Sequence, residues 1–242
     1  MNCKDIKLAL NPGVDLKETA ILGISRAVVV DLDKRFELTW DRFMRLYNTA
    51  EAIKKRVEKS YSILDVGGFD GALALFLTDY QIDVVDPITT GGTGHGIAND
   101  SYDVIVSIDA LEHVPPAERQ SFSKQLGNAA REHLFINFPG RYTATAQQLI
   151  YDSTENPLVK EHVMWQLPAM DEVREWVEEA GFEVHTEQHT NLAQWVSQYL
   201  LQTIAHDAAM KVNRYLLEHH LEDQVGTPLY DLIIGRRKTS NP

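Results

Sequence analysis

The chain has 242 residues, 44% of them hydrophobic, and a formal net charge of -12. That suits one large globular core with decorations and disfavours nucleic acid as a partner, because such binding rests on Lys and Arg displacing counterions. Cys3 is the only cysteine, the start Met1-Asn2-Cys3-Lys4-Asp5 lacks a secretory pattern, and no apolar run approaches the roughly 18 residues of a membrane helix, so a cytoplasmic protein without disulfide, multi-cysteine zinc site or membrane partner is expected.

Residues 1–60 read as an N-terminal extension, with short apolar runs such as Ala27-Val28-Val29-Val30. A helix is predicted over Trp40 to Lys59, where Phe43, Leu46, Tyr47, Ala50 and Ile53 recur at helical spacing. Residues 61–242 read as the main domain, beginning with strand Ile63-Leu64-Asp65-Val66, glycine turn Gly67 to Gly71, helix Ala72 to Thr78 and strand Ile82-Asp83-Val84-Val85. That alternation predicts a parallel α/β sheet. Further strands are expected at Val104 to Val106, His133 to Ile136, Phe182 to Val184 and Leu229 to Ile234, with helices near 116–131 and 169–180, the latter stopped by Ala180-Gly181. Two segments fall outside the repeating unit, 139–167 and 187–228. Ligands of an open α/β sheet sit beyond the carboxyl ends of its strands, so these insertions are expected to form a substrate and cap region.

The turn Asp65-Val66-Gly67-Gly68-Phe69-Asp70-Gly71 follows an apolar strand and opens a helix, the setting in which backbone amides can approach a ligand. The dinucleotide pattern G-x-G-x-x-G fails, since positions 69 and 72 are Phe69 and Ala72. Asp65-x-Gly67-x-x-x-Gly71 instead resembles the first motif of the class I S-adenosylmethionine-dependent methyltransferases. Val85-Asp86-Pro87 at the end of the next strand, Tyr102-Asp103-Val104 through Leu111-Glu112-His113-Val114, and Glu161-His162, Leu167-Pro168 and Ala180-Gly181-Phe182 are similar to later motifs of that family, in order, in its small-molecule "LEHV" type. The resemblance implies a Rossmann-like, mostly parallel sheet with an antiparallel last strand, and S-adenosyl-L-methionine as cofactor. It implies a cofactor site at Asp65, Gly67, Gly68, Phe69 and Gly71, with Asp86 and Pro87 at the ribose and Ser107, Ile108 and Asp109 beyond the fourth strand of the family pattern. A branched side chain at Gly67 or Gly71 is expected to abolish cofactor binding without unfolding the domain.

Two departures stand out. Phe69 occupies the family's central glycine, and only fifteen residues separate Asp86 from Tyr102, so the third strand is expected to be shortened or missing. By position the adenine wall falls on Gly96, Ile97 and Ala98, with Asn99 as a polar contact; the glycine-rich stretch Gly91 to Gly96 reads equally as a plain flexible connection.

Methyl transfer from a sulfonium is an in-line displacement, so the protein mainly aligns nucleophile, methyl carbon and sulfur. His113 is the first candidate base, or a packed structural histidine; His162 and Tyr142 from the first insertion are further candidates. Asp109, Glu112 and His113 crowd one turn, which reads as a solvated helix start rather than a metal site. No Asp/Asn-Pro-Pro-aromatic sequence follows the strand ending at Ile108, and no second cysteine is present. An oxygen, nitrogen or activated carbon of a small-molecule acceptor remains. A catalytically inactive scaffold of the same fold is the rival reading. Finally, Leu192, Trp195, Val196, Tyr199, Leu200, Ile204, Ala208, Val212, Tyr215 and Leu216 predict helix over 191–220, as one long rod or two shorter pieces. Its apolar face is expected either to cap the acceptor site and pair with a second subunit, or simply to pack on its own domain.

Overall fold

The computed structural model describes residues 10–94, 96–223 and 225–239, so Cys3 and the Met1 to Asp5 start lie outside the described residues. Eight strands form one sheet: β1 (Val14–Glu18), β2 (Ser25–Val29), β3 (Ser62–Val66), β4 (Gln81–Val85), β5 (Tyr102–Ile108), β6 (Ala130–Pro139), β7 (Phe182–Asn191) and β8 (Pro228–Arg237). Their spatial order is β1-β2-β4-β3-β5-β6-β8-β7. Strands β4, β3, β5 and β6 are parallel, and β8 lies antiparallel between β6 and β7. The expected mostly parallel sheet with an antiparallel last strand is therefore present.

The central strands are continuous apolar runs because both faces are covered. Ile63, Val104, Val106, Phe135 and Leu232 bury one face under helices α1 (Trp40–Lys54), α3 (Ala144–Thr154), α4 (Pro157–Met164), α6 (Leu192–Ile204) and α7 (His206–His219). Leu64, Ile105, Leu134 and Ile136 bury the other under α2 (Arg119–Ala129) and α5 (Met170–Glu179). Among the described residues, no helix is long and apolar enough to cross a membrane.

Three expectations are corrected. First, the N-terminal stretch joins the sheet: β2 pairs antiparallel with β4 through Ser25 and Arg26. Arg26 forms an ion pair with Asp83, whose carboxylate also accepts from the Tyr102 hydroxyl at 3.1 Å. The described residues of 86–101 contain no strand, as expected, and the hairpin takes that edge instead. Second, the helix predicted over Ala72 to Thr78 is a single 3-10 turn, Ala72–Leu75. The amides of Ala74, Phe76 and Leu77 bond to the carbonyls three residues back, of Gly71, Leu73 and Ala74, which is the tighter 3-10 pattern. The 191–220 stripe takes the two-piece form of its two expected forms, with the break at Ala205, where φ is -149° and ψ 74°. A single rod of about 45 Å would overrun the sheet, and the break lets both apolar faces reach one core. Third, strand β7 runs on to Asn191, so the helical insertion begins at Leu192 rather than at 187.

Candidate active site

The turn after β3 is shaped by backbone geometry. Gly67 has φ of +79° and Phe69 of +48°, both in the left-handed region that glycine enters freely and other residues enter at a cost. A Cβ on Gly68 would lie 2.4 Å from Oδ2 of Asp65, so only glycine lets that carboxylate sit under the turn. The wholly buried Asp70 pins the loop from below, accepting from the Asn11 amide at 2.7 Å and pairing with Arg42 of α1. Its partners come from segments that sequence reasoning assigned to an extension.

Two cavities flank this turn. The first, about 320 Å³, is lined by Asp65, Gly67, Gly68, Phe69, Asp86, Ile108, Asp109, His113 and His162, with Asp41, Arg42, Arg45 and Leu46 of α1, Gln147 of α3, Leu158 and Val159 of α4, Trp195 and Tyr199 of α6 and Tyr230 of β8 among the other walls. The second, about 440 Å³, is lined by Val66, Gly67, Val85, Asp86, Pro87, Ile88, Thr93, Gly94, Asp109, Ala110, His113, Val114, Phe122 and Leu158. Gly67, Asp86, Asp109, His113 and Leu158 border both. Gly94 matters here, since a Cβ on it would lie 2.7 Å from Val66 and 3.1 Å from Phe122.

Charge is concentrated in the first cavity. Arg45 lies 2.9 Å from Asp41, 3.1 Å from Asp109 and 3.1 Å from the Tyr230 hydroxyl. Burial alone would lower the Arg45 pKa, but Asp109, Tyr230 and Asp41 outweigh it and keep the guanidinium charged. Burial likewise works against the Asp109 carboxylate, and Arg45 overcomes it, so Asp109 is held below its ordinary range. Glu112 is pushed well above the ordinary carboxyl range by burial and by the Asp109 charge. Burial lowers His162 to about 4, so its imidazole is neutral at neutral pH. Nδ1 of His113 is 2.6 Å from Oε2 of Glu161, Nδ1 of His162 is 3.1 Å from Oε1 of Gln147, and the two rings lie 5.0 Å apart. Asp65 is raised to about 7, by burial first and then by Asp70 and Asp86, and its Oδ1 is buried without a hydrogen-bond partner. Asp86 uses Oδ1 to cap the next turn, accepting from the amides of Ile88 at 2.8 Å and Thr89 at 3.2 Å.

Several sequence-based candidates lie elsewhere. Ser107 is wholly buried in β5 and lines neither cavity, because alternation along the strand turns only its neighbour Ile108 that way. Ile97 is half-buried against the α2 and α5 side of the core and Ala98 is exposed, so neither forms the wall expected of them. Ile88, Thr93, Gly94, Val114 and Phe122 line the second cavity instead. Gly92 of the glycine-rich stretch backs onto the hairpin, where a Cβ would lie 2.3 Å from the Gly23 carbonyl oxygen. Gly71 faces the hairpin too, with a Cβ position 2.9 Å from Ala27 and 3.1 Å from Leu16. Tyr142 is 44% exposed and donates its hydroxyl to Asp231 at 3.0 Å, outside both cavities. The Asp109 to His113 turn is not a solvated helix start, because Glu112 has no exposed surface.

The residues sequence reasoning missed come from helices. Asp41, Arg42 and Arg45 read as the polar face of an amphipathic helix, and their signal, three charges within one turn's spacing, is also that of an ordinary solvated face. Trp195 and Tyr199 stood in the apolar stripe of the second insertion without a mark to separate them from core residues.

No protein-family model matches the sequence, and no curated protein does. Among solved structures, a SAM-dependent methyltransferase from Archaeoglobus fulgidus superposes with a TM-score of 0.50 at 12% identity, covering 85% of this chain and 97% of that one. The YcgJ protein from Bacillus subtilis superposes with 0.51 at 14% identity, covering 81% of this chain and 99% of that one. The chain has the class I methyltransferase fold. Within this methyltransferase fold Gly67, Asp86 and Asp109 each follow the carboxyl end of a parallel strand, β3, β4 and β5. Both cavities therefore open at the sheet edge where open α/β folds bind ligands.

Proposed function

We propose that the chain is an S-adenosylmethionine-dependent methyltransferase acting on an oxygen, nitrogen or activated carbon of a small-molecule acceptor. The observation that carries this reading is the pair of cavities meeting at Gly67, Asp86, Asp109 and His113. Residues present fit the cofactor: Oδ1 of Asp65 is a buried acceptor without a partner, and Asp65, Gly67 and Gly68 border open space in the first cavity. S-adenosylmethionine supplies, when bound, an electrophilic methyl group on a positively charged sulfur.

The chain's own residues divide the remaining work. Asp65 would receive the ammonium end and Asp86 the ribose diol, as a carboxylate can accept two hydrogen bonds. The apolar second cavity, between Ile88, Val114 and Phe122, would take the adenine. The first cavity would hold the acceptor, with Trp195, Tyr199, Leu158 and Val159 excluding water and His113 and His162 receiving the acceptor's polar end. Phe69, which motivated the inactive reading, is a wall of this cavity with the Arg42 guanidinium 5.8 Å from its ring centre.

Calorimetric titration with S-adenosylmethionine tests this. One equivalent should bind the wild type, and Asp86→Ala should weaken binding by about 1.5 to 3 kcal/mol, the scale of hydrogen bonds to a charged acceptor. A folded wild-type protein that binds no cofactor overturns the reading. Native mass spectrometry of fresh protein would show retained S-adenosylhomocysteine and a co-purified acceptor.

A further inference from the structure

Beside the first cavity, behind the His113 and His162 that line it, lies more unmatched polar capacity than the protein itself satisfies. Glu112 is wholly buried beside the Asp109 carboxylate, and neither of its carboxyl oxygens makes a hydrogen bond of good geometry. Nε2 of His162, on a side chain 11% exposed, is likewise buried without one. A buried polar atom left unmatched is costly, so three together point to a ligand the protein chain does not supply. One ligand atom each from Glu112, His113 and His162 lies within 4.8 Å of the others, and Oε1 of Glu112 is 3.9 Å from Nε2 of His162.

We propose that Glu112, His113 and His162 bind a divalent first-row transition-metal ion. Two imidazoles and one carboxylate are a donor set for zinc, iron, cobalt or manganese rather than for calcium or magnesium, which prefer oxygen alone. The surroundings match those of metal-bound histidines, whose second ring nitrogen is held by an outer partner. Nδ1 of His113 is held by Glu161 at 2.6 Å and Nδ1 of His162 by Gln147 at 3.1 Å, which leaves Nε2 of each as the ligand atom. Donors around an ion at about 2.0 to 2.2 Å stand roughly 3.0 to 3.5 Å apart. Closing the present spread takes a turn of the half-buried His113, the least confined of the three side chains, and an approach of about 0.4 to 0.9 Å between Glu112 and His162, now 3.9 Å apart. Three protein ligands leave coordination positions open, and His113 and His162 both line the cavity, so the open side faces the acceptor space. The assignment is independent of methyl transfer, since an ion can bind here whether or not the chain transfers a methyl group.

Titration of metal-free full-length protein with Co²⁺, followed by its visible d–d absorption and by calorimetry, tests the proposal. The wild type should bind one equivalent with an absorption spectrum typical of mixed nitrogen and oxygen ligation. Glu112→Gln and His162→Asn should each lose more than about 100-fold in affinity, and Gln147→Ala, which removes an outer partner, about 10- to 100-fold. Circular dichroism and thermal unfolding would establish that each variant is folded; if one is not, the other decides. A wild type that takes up no stoichiometric Co²⁺ overturns the assignment, as do folded Glu112→Gln and His162→Asn proteins that bind it unchanged. Neither result bears on cofactor binding at Asp65 and Asp86, which calorimetry with S-adenosylmethionine reports separately.

Discussion

Asp65 concentrates the electrostatic cost of the site. Its pKa is about 7 in the folded chain, raised from an ordinary 3.8 by burial and by the Asp70 and Asp86 charges. A raised carboxyl means that the group favours the folded state fully below about pH 3.8 and loses that contribution as the pH rises through 7. At about 1.4 kcal/mol per pH unit, the full span is of order 4 kcal/mol. Asp65→Asn should therefore gain stability relative to the wild type between pH 4 and pH 8, as measured by thermal unfolding without cofactor. The ammonium of a bound cofactor would favour the ionised form, so the wild-type pH dependence should shrink in its presence. A difference between the two proteins that stays constant with pH would remove this account. Phe69 shows the limit of reading such sites from residue type. Its φ of +48° is what a glycine at that position provides freely, and the chain accepts about 1 to 2 kcal/mol of strain to place an aromatic wall there.

At the scale of elements, the parallel core was legible because strands buried on both faces are written as unbroken apolar runs, such as Val104-Ile105-Val106. The β1–β2 hairpin was not. Val14-Asp15-Leu16-Lys17-Glu18 is a short, mostly polar edge strand, and the partner that fixes β2, Val84, is 59 residues from Ser25. Nothing in Thr203-Ile204-Ala205-His206 marks the break between α6 and α7 either, since it holds neither glycine nor proline. The turn after β3 was legible from its glycines and acids, but the separate surroundings of those glycines were not, because Gly67 borders both cavities while Gly71 faces the hairpin. The expectation for a branched residue at Gly71 changes accordingly. Gly71→Val must push Ala27 and Leu16 away at a φ of +74°, so it should destabilise the fold, by about 2 to 4 °C in Tm for each kcal/mol lost. Thermal unfolding checks this. An unchanged Tm with cofactor binding lost would return Gly71 to the cavity.

Across the whole molecule, the two cavities draw on different parts of the chain. The second is built almost wholly from the ends of β3, β4 and β5 and the loops after them, with Leu158 as its sole contribution from the insertions. The first is closed by residues from the N-terminal 60, from 139–167 and from α6. The second cavity is thus held by the sheet and the first by the sheet together with the surrounding helices. Strands β7 and β8 are antiparallel neighbours paired at Asn191 and Pro228, so a short glycine-serine linker can replace residues 192–227 without stretching either strand. The replacement removes Trp195 and Tyr199 from the cavity and uncovers apolar surface beneath α6 and α7, so Tm should fall. Calorimetry should still find S-adenosylmethionine bound within a few-fold of the wild-type affinity, because Asp65, Gly67 and Asp86 are positioned by β3, β4 and the turns after them rather than by residues 192–227. Transfer to the acceptor that native mass spectrometry finds with the wild type should be lost, since the cavity would stand open to water. If the shortened protein binds cofactor and turns over at the wild-type rate, α6 is no lid. The acceptor would then be held by Arg42 and Arg45 of α1 and by His162 and Gln147 alone.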